Sequence, residues 1–179
     1  MTKLYKKLLN PDLSTDEMNE GVAEAKMTVD AKERAGILRN IFSFIDLTSL
    51  NTTDSATAIR RFAEKAASLH LTYNGISNVA ALCVFPNFVV PARQGLGSCG
   101  VKLAVVSASF PTAQTYLEVK MLETEMAVKN GAAEVDIVIP VGTFLENDYD
   151  AVINELKTLR TVAGKATLKV ILETGLLKD

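Results

Sequence analysis

The chain has 179 residues, 48% of them hydrophobic, enough length and apolar content for one cored domain, and this excludes a disordered chain. Its 19 basic and 21 acidic residues give a net charge of −2 with no basic block, so no nucleic-acid footprint is expected. No apolar run suits a signal peptide or a membrane span, and one histidine (His70) with two cysteines (Cys83, Cys99) outside CxxC spacing leaves no Cys/His metal site, so a reduced, cytoplasmic, metal-free protein is expected.

Residues 1–40 read as an N-terminal helical extension packed against the outside or one end of a main domain over 41–179. Ser14-Thr15-Asp16-Glu17 has capping-box spacing. Asp30-Ala31-Lys32-Glu33 repeats the polar pattern, and Ala35, Leu38 and Ile41 follow at helical intervals. The first strand is expected over Ile41–Thr48. Asn51-Thr52-Thr53-Asp54 is a polar turn able to cap a helix over 54–69, with Ile59, Phe62, Ala66 and Leu69 on one face. A second strand over Val79–Phe85 ends at Pro86-Asn87, and a short helix follows over 87–97. Gly95-Leu96-Gly97-Ser98 comes nearest to a phosphate-binding loop, but it sits at a helix end and lacks a third glycine.

Lys102–Ser107 is the third expected strand. Phe110-Pro111-Thr112 ends it, with Thr112 as cap of a helix over 113–130 that stops at Asn130-Gly131. Glu134–Ile139 is the fourth strand, and a helix over 147–163 stops at Gly164. The fifth strand lies in Thr167-Leu168-Lys169-Val170-Ile171-Leu172, before Glu173-Thr174-Gly175. Strand and helix thus alternate at 20- to 40-residue intervals, as βαβ units with parallel strands require. The nearly unbroken apolar strands fit a sheet covered on both faces.

Three of these strands carry a charge where an aliphatic residue is expected: Asp46, Asp136 and Lys169. Burying a lone ammonium is costly, and the usual escape is a fall in pKa, from about 10.4 toward about 7 or 8. Neutral lysine forms Schiff bases with carbonyls, and a neighbouring carboxylate moves the protons. In a closed barrel inward side chains converge in layers, so the three charges form one polar centre. Alternation puts Glu134 and Val138 on the face of Asp136, Thr48 on that of Asp46, and Ile171 and Glu173 on that of Lys169. Two plainer readings stand beside this one: an edge-strand lysine whose ammonium reaches solvent, and a structural salt bridge.

Four segments carry a resemblance to a known family. Ile45-Asp46-Leu47-Thr48-Ser49-Leu50-Asn51, Ala81-Leu82-Cys83-Val84-Phe85-Pro86, Glu134-Val135-Asp136-Ile137-Val138 and Leu168-Lys169-Val170-Ile171-Leu172-Glu173-Thr174-Gly175 resemble deoxyribose-phosphate aldolase in order and spacing. The resemblance covers roughly 40–179. It implies an α/β fold of the TIM (β/α)8 barrel family, of which this chain supplies about five βα units. It implies class I aldolase chemistry without metal or other cofactor, cleaving 2-deoxyribose 5-phosphate to acetaldehyde and glyceraldehyde 3-phosphate. By this match Lys169 is the Schiff-base lysine and Asp136 the acid/base carboxylate working through water. Asp46, Thr48 and Cys83 line the substrate pocket, with Cys83 no nucleophile and equally readable as a small core residue.

The match departs from the family in two places. Ser109-Phe110-Pro111-Thr112-Ala113 stands where many members have a His-Gly pair. The family's second active-site lysine, in a Lys-Thr-Ser-Thr-Gly-Lys segment, and its phosphate-binding loops have no counterpart here, and Lys178 is no substitute. The chain as given is therefore expected to be a fragment or truncated relative with little turnover, its Lys169 pKa drifting back toward the ordinary. Its partners are expected to be a sugar phosphate and further copies in a homo-oligomer, not nucleic acid or membrane. The alternative function is a non-catalytic open α/β module that binds a phosphorylated ligand or a partner.

Overall fold

The structure is a computed structural model that describes residues 15–27 and 31–177. The chain divides between Leu38 and Arg39 into two compact units. Helix α1 spans Thr15–Met27 and α2 spans Ala31–Phe42. The expected caps at Ser14 and Asp30 lie outside the described residues, as does Lys178.

The first strand is shorter than expected. Strand β1 is only Asp46–Thr48, and Ile41 and Phe42 belong to α2. The amides of Ser43, Phe44 and Ile45 each bond the carbonyl three residues earlier, winding the helix end into tight turns. A short apolar run such as Ile41–Ile45 has no period that separates strand from helix.

Helix α3 (Ala56–Thr72) is capped by Ser55, whose hydroxyl accepts the amide of Ala58. Asp54, at the end of the expected capping turn, instead accepts from the Ser49 hydroxyl and the Asn51 amide and braces the preceding loop. Strand β2 (Ala81–Val84) is wholly buried, and a 3-10 turn at Pro86–Phe88 leads into α4 (Val89–Leu96). Gly95 lies against α3: a Cβ there would stand 2.4 Å from the Arg60 carbonyl oxygen and 2.7 Å from Ala63 Cβ. Its role is close helix packing, not phosphate binding.

Strand β3 is Lys102–Val106, and α5 runs Leu117–Asn130. The helix starts later than 113 because Ala108, Ser109 and Ala113 have positive φ, which no right-handed helix admits. Thr112 accepts the Gln114 amide in a local turn and does not cap α5. Gly131, at φ +110°, ends α5 as expected, and the Arg93 side chain fills the space a Cβ would occupy. Strand β4 is Glu134–Val138; a five-residue α6 (Val141–Leu145), absent from the expectation, precedes α7 (Tyr149–Ala163), capped by Asp148. Strand β5 is Thr167–Ile171, followed by α8 (Thr174–Leu177).

All five strands are parallel and neighbour one another in chain order, β1 to β5. This is the strand arrangement of a βα barrel sector. The outward residues Leu82, Leu103, Val105, Val135 and Ile137 form one core with Ile59, Ala63, Ala127 and Leu159 of the helices. Each such aliphatic side chain contributes about 1.5–3 kcal/mol by leaving water. Outside the sheet, Lys120 on α5 is 2% exposed and bonds Glu155 on α7 at 2.7 Å, joining the two helices. The inward residues are small where β2 and β3 meet: Ala81, Cys83, Ala104 and Val106, under Leu50, Phe85 and Phe110. Strands β1 and β5 are the sheet edges among the described residues, so β5, expected to be buried, is only half-buried.

Candidate active site

The small inner face leaves room for long polar side chains from the flanking strands. Parallel register sets Asp136 directly beside Lys169, and Ala104 beside Glu134. The sheet curls far enough that Asp46, on the opposite edge strand, reaches the same point. Lys169 Nζ hydrogen-bonds Asp46 Oδ2 and lies 3.1 Å from both Glu134 Oε2 and Asp136 Oδ1. Glu134 Oε1 accepts a second ammonium, that of Lys102, at 2.8 Å. The Cys83 thiol faces Asp136 Oδ2 at 3.8 Å.

Three of the residues singled out from sequence, Asp46, Asp136 and Lys169, thus meet at one point, and Cys83 adjoins them. Thr48 does not join them: it is exposed, and its hydroxyl donates to the Asp46 carbonyl. Glu134 and Lys102 were not assigned to the site by sequence reasoning. Alternation had put Glu134 on the face of Asp136, and that was signal enough to include it. For Lys102, at the start of β3, no comparable signal exists.

The Lys169 pKa departs from both sequence expectations, the fall of a dry-walled site and the return toward the ordinary in the chain as given. Burial disfavours the ammonium, but the Asp46 hydrogen bond and the Asp136 and Glu134 carboxylates outweigh it and raise the pKa above the usual lysine value. The expected fall supposed hydrocarbon walls; the walls that touch Nζ are anionic. Burial raises the Asp136 pKa; Lys169 opposes this, Asp46 and Glu134 reinforce it, and the net shift is upward. Burial also pushes Glu134 upward, but hydrogen bonds from Lys102 and Lys169 prevail and hold it below the ordinary carboxylate value. The Cys83 thiol is pushed up to about 12, first by burial and then by the Asp136 charge, so it stays protonated and unreactive.

Chemically this is an amine surrounded by acceptors, one of which is poised to take up a proton. Asp136 Oδ1 is buried, and apart from the Lys169 ammonium 3.1 Å away it keeps a lone pair without a donor. That lone pair is open to a donor brought by a substrate. The carboxylates are already engaged by two lysines, and among the described residues no group of His, Cys, Asp and Glu is arranged to hold a metal ion. No helix among them is long and apolar enough to cross a membrane.

Comparison with known proteins identifies the family. A model described as "DeoC/LacD family aldolase" matches residues 40–179. The human deoxyribose-phosphate aldolase is 35% identical over 163 residues, 85% of this chain and 51% of that protein. A putative deoxyribose-phosphate aldolase of Caenorhabditis elegans is 29% identical over 97% of this chain and 58% of its own. Among solved structures, a putative deoxyribose-phosphate aldolase from Coccidioides immitis superposes with a TM-score of 0.70 at 26% identity, over 93% of this chain and 64% of that one. The deoxyribose phosphate aldolase of Aeropyrum pernix, described as tetrameric, gives 0.61 at 28% identity, over 77% and 54%. The chain spans about half the length of the curated relatives it matches.

Proposed function

We propose, since the chain belongs to the DeoC/LacD family of aldolases, that it carries the imine-forming part of a class I aldolase site acting on 2-deoxyribose 5-phosphate. Lys169 is the Schiff-base lysine and Asp136 the acid/base group. Asp46 and Cys83 border the substrate, and Thr48 stands at the rim. The observation that carries this reading is Lys169 Nζ within 3.1 Å of Asp136, on adjacent strands in register.

The chemistry follows from that pair. Lys169 gives up one proton and its lone pair attacks the aldehyde carbon; a C–N bond forms and the carbonyl π pair becomes a hydroxyl. Loss of water leaves an iminium cation in the place of the ammonium. The carboxylates that hold the ammonium also stabilise this cation. The bond between the α and β carbons then breaks, its electrons entering the iminium to give an enamine. Asp136, through a water, takes the proton of the β-hydroxyl as glyceraldehyde 3-phosphate leaves, and returns a proton to the enamine carbon. Hydrolysis releases acetaldehyde and the free amine. The elevated Asp136 pKa suits a group that both accepts and donates.

A homo-oligomer in a reducing cytoplasm completes the proposal; the two free thiols suit that compartment. Borohydride reduction in the presence of 2-deoxyribose 5-phosphate is the test. A covalent adduct on Lys169, lost in Lys169→Arg, is expected. If the human relative is trapped under the same conditions and Lys169 is not, the reading fails and a non-catalytic module takes its place.

A further inference from the structure

We propose that Glu134 is the positioning residue of the Schiff-base lysine: by bridging Lys102 and Lys169 it holds the Lys169 amine from the side away from substrate and turns its lone pair toward Asp136. The proposal deepens the imine-forming reading of Lys169 and rests on it. Glu134 is only 8% exposed, yet both of its carboxylate oxygens are engaged. Oε1 accepts the Lys102 ammonium at 2.8 Å, and Oε2 lies 3.1 Å from Lys169 Nζ. One carboxylate thus joins two amines that reach it from β3 and β5, the strands on either side of its own.

Strand register gives this bridge a direction. Lys169 stands level with Asp136, and Glu134 precedes Asp136 by two residues on β4. Lys102 precedes Ala104, the residue opposite Glu134, by two residues on β3. The order from the N-terminal end of the sheet is therefore Lys102, Glu134, then Lys169 with Asp136. In parallel βα sheets substrate enters from the C-terminal ends of the strands. Glu134 lies one step deeper than the reacting pair, so it meets the amine and not the aldehyde. Its part is to place the nucleophile.

An amine that has passed one proton to Asp136 keeps two N–H groups and a lone pair. Asp46 hydrogen-bonds one N–H, and Glu134 is the acceptor in reach of the other. The lone pair is left on the third side, facing Asp136 and the open end where a carbonyl carbon arrives. Lys102 makes the hold firm, because it occupies Oε1 and keeps the carboxylate from swinging. Burial works against the Glu134 charge, but the two ammoniums prevail and keep it ionised, whereas Asp136 is raised and exchanges protons.

Two reactions of Lys169 at one mildly alkaline pH, read by peptide mass spectrometry, separate placement from protonation. Acylation by acetic anhydride counts the neutral amine; borohydride trapping of acetaldehyde also needs the lone pair in line with the carbonyl. Glu134→Met should raise acylation, because a carboxylate is lost, yet cut the ratio of trapping to acylation about tenfold. Glu134→Gln should recover most of the ratio, since its amide oxygen still accepts the N–H although the charge is gone. Lys102→Met should lower acylation, because a cation is lost, and still cut the ratio about threefold. Charge alone would move the ratio in opposite directions in the two methionine variants; loss of placement lowers it in both. The Lys102 side chain is 60% exposed, so Lys102→Met carries the test even where Glu134→Met does not fold. A parent that is acylated but never trapped removes the Schiff-base reading, and this proposal with it. A trapped parent whose methionine variants keep its ratio, or a Glu134→Gln variant as poor as Glu134→Met, overturns the proposal and leaves the Schiff-base reading standing.

Discussion

Replacing Lys169 with methionine keeps the stem and removes the cation, leaving Asp46, Glu134 and Asp136 with Lys102 alone. Breaking a fully buried ion pair costs about 3–5 kcal/mol. Here Lys169 and Asp46 are 33% and 34% exposed, while Glu134 and Asp136 are 10% and 13%. Water screens part of the loss, so about 2 kcal/mol is expected at neutral pH. That corresponds to a fall in Tm of about 4–8 °C for a chain of this size. The loss has a pH signature. Glu134 has a lowered pKa in the folded state, so its contribution is present above the ordinary carboxylate value and disappears as pH falls through the lowered one. Asp136, already raised, moves further up once Lys169 is gone, so the variant begins to shed repulsion at a higher pH. The stability gap between parent and variant should therefore be full near neutral pH and close only in acid below the lowered Glu134 value, by about pH 2. Urea unfolding of both proteins at the two pH values measures it. An equal loss at both, or none at either, would show that the cluster is not coupled as the geometry requires.

Asp46→Asn removes the hydrogen bond that most raises Lys169. The lysine pKa should fall, and borohydride trapping of acetaldehyde at a fixed mildly alkaline pH should quicken about three- to tenfold; an unchanged rate refutes it. For the parent chain, trapping should keep rising from about pH 6 to about pH 10 with no plateau near neutrality, because the amine holds its proton above the usual lysine value. Cys83 should resist iodoacetamide in the native chain and react only after denaturation, whereas half-buried Cys99 labels first, as peptide mass spectrometry would show. Gly95→Ala should destabilise the chain by about 1–3 kcal/mol in urea, since its methyl meets the Arg60 carbonyl, which cannot swing aside.

The sequence disclosed the fold through its alternation of apolar strands and capped helices, and the site through three charges lodged in those strands. Asp136 and Lys169 were legible because their strands are adjacent and five residues long, so that alternation fixes their face. What stayed hidden came from distance. The charge on Lys169 depends on Asp46, 123 residues earlier, and on how far the sheet curls, and neither leaves a local trace. The same holds for Lys102, drawn in only by its contact with Glu134. At Ile41–Ile45 the residues favour strand and helix about equally, and the helix prevailed by extending through Phe42. At Thr112 a good capping residue was overruled by a loop of positive φ angles.

The bond between Asp46 and Lys169 ties the first strand of the sheet to the last. Among the described strands these are the two edges, so one side chain spans the sheet from side to side. The amine proposed to do the chemistry is thereby also a cross-link, and a covalent adduct on it would trade a bond that joins two edges for a bond to substrate.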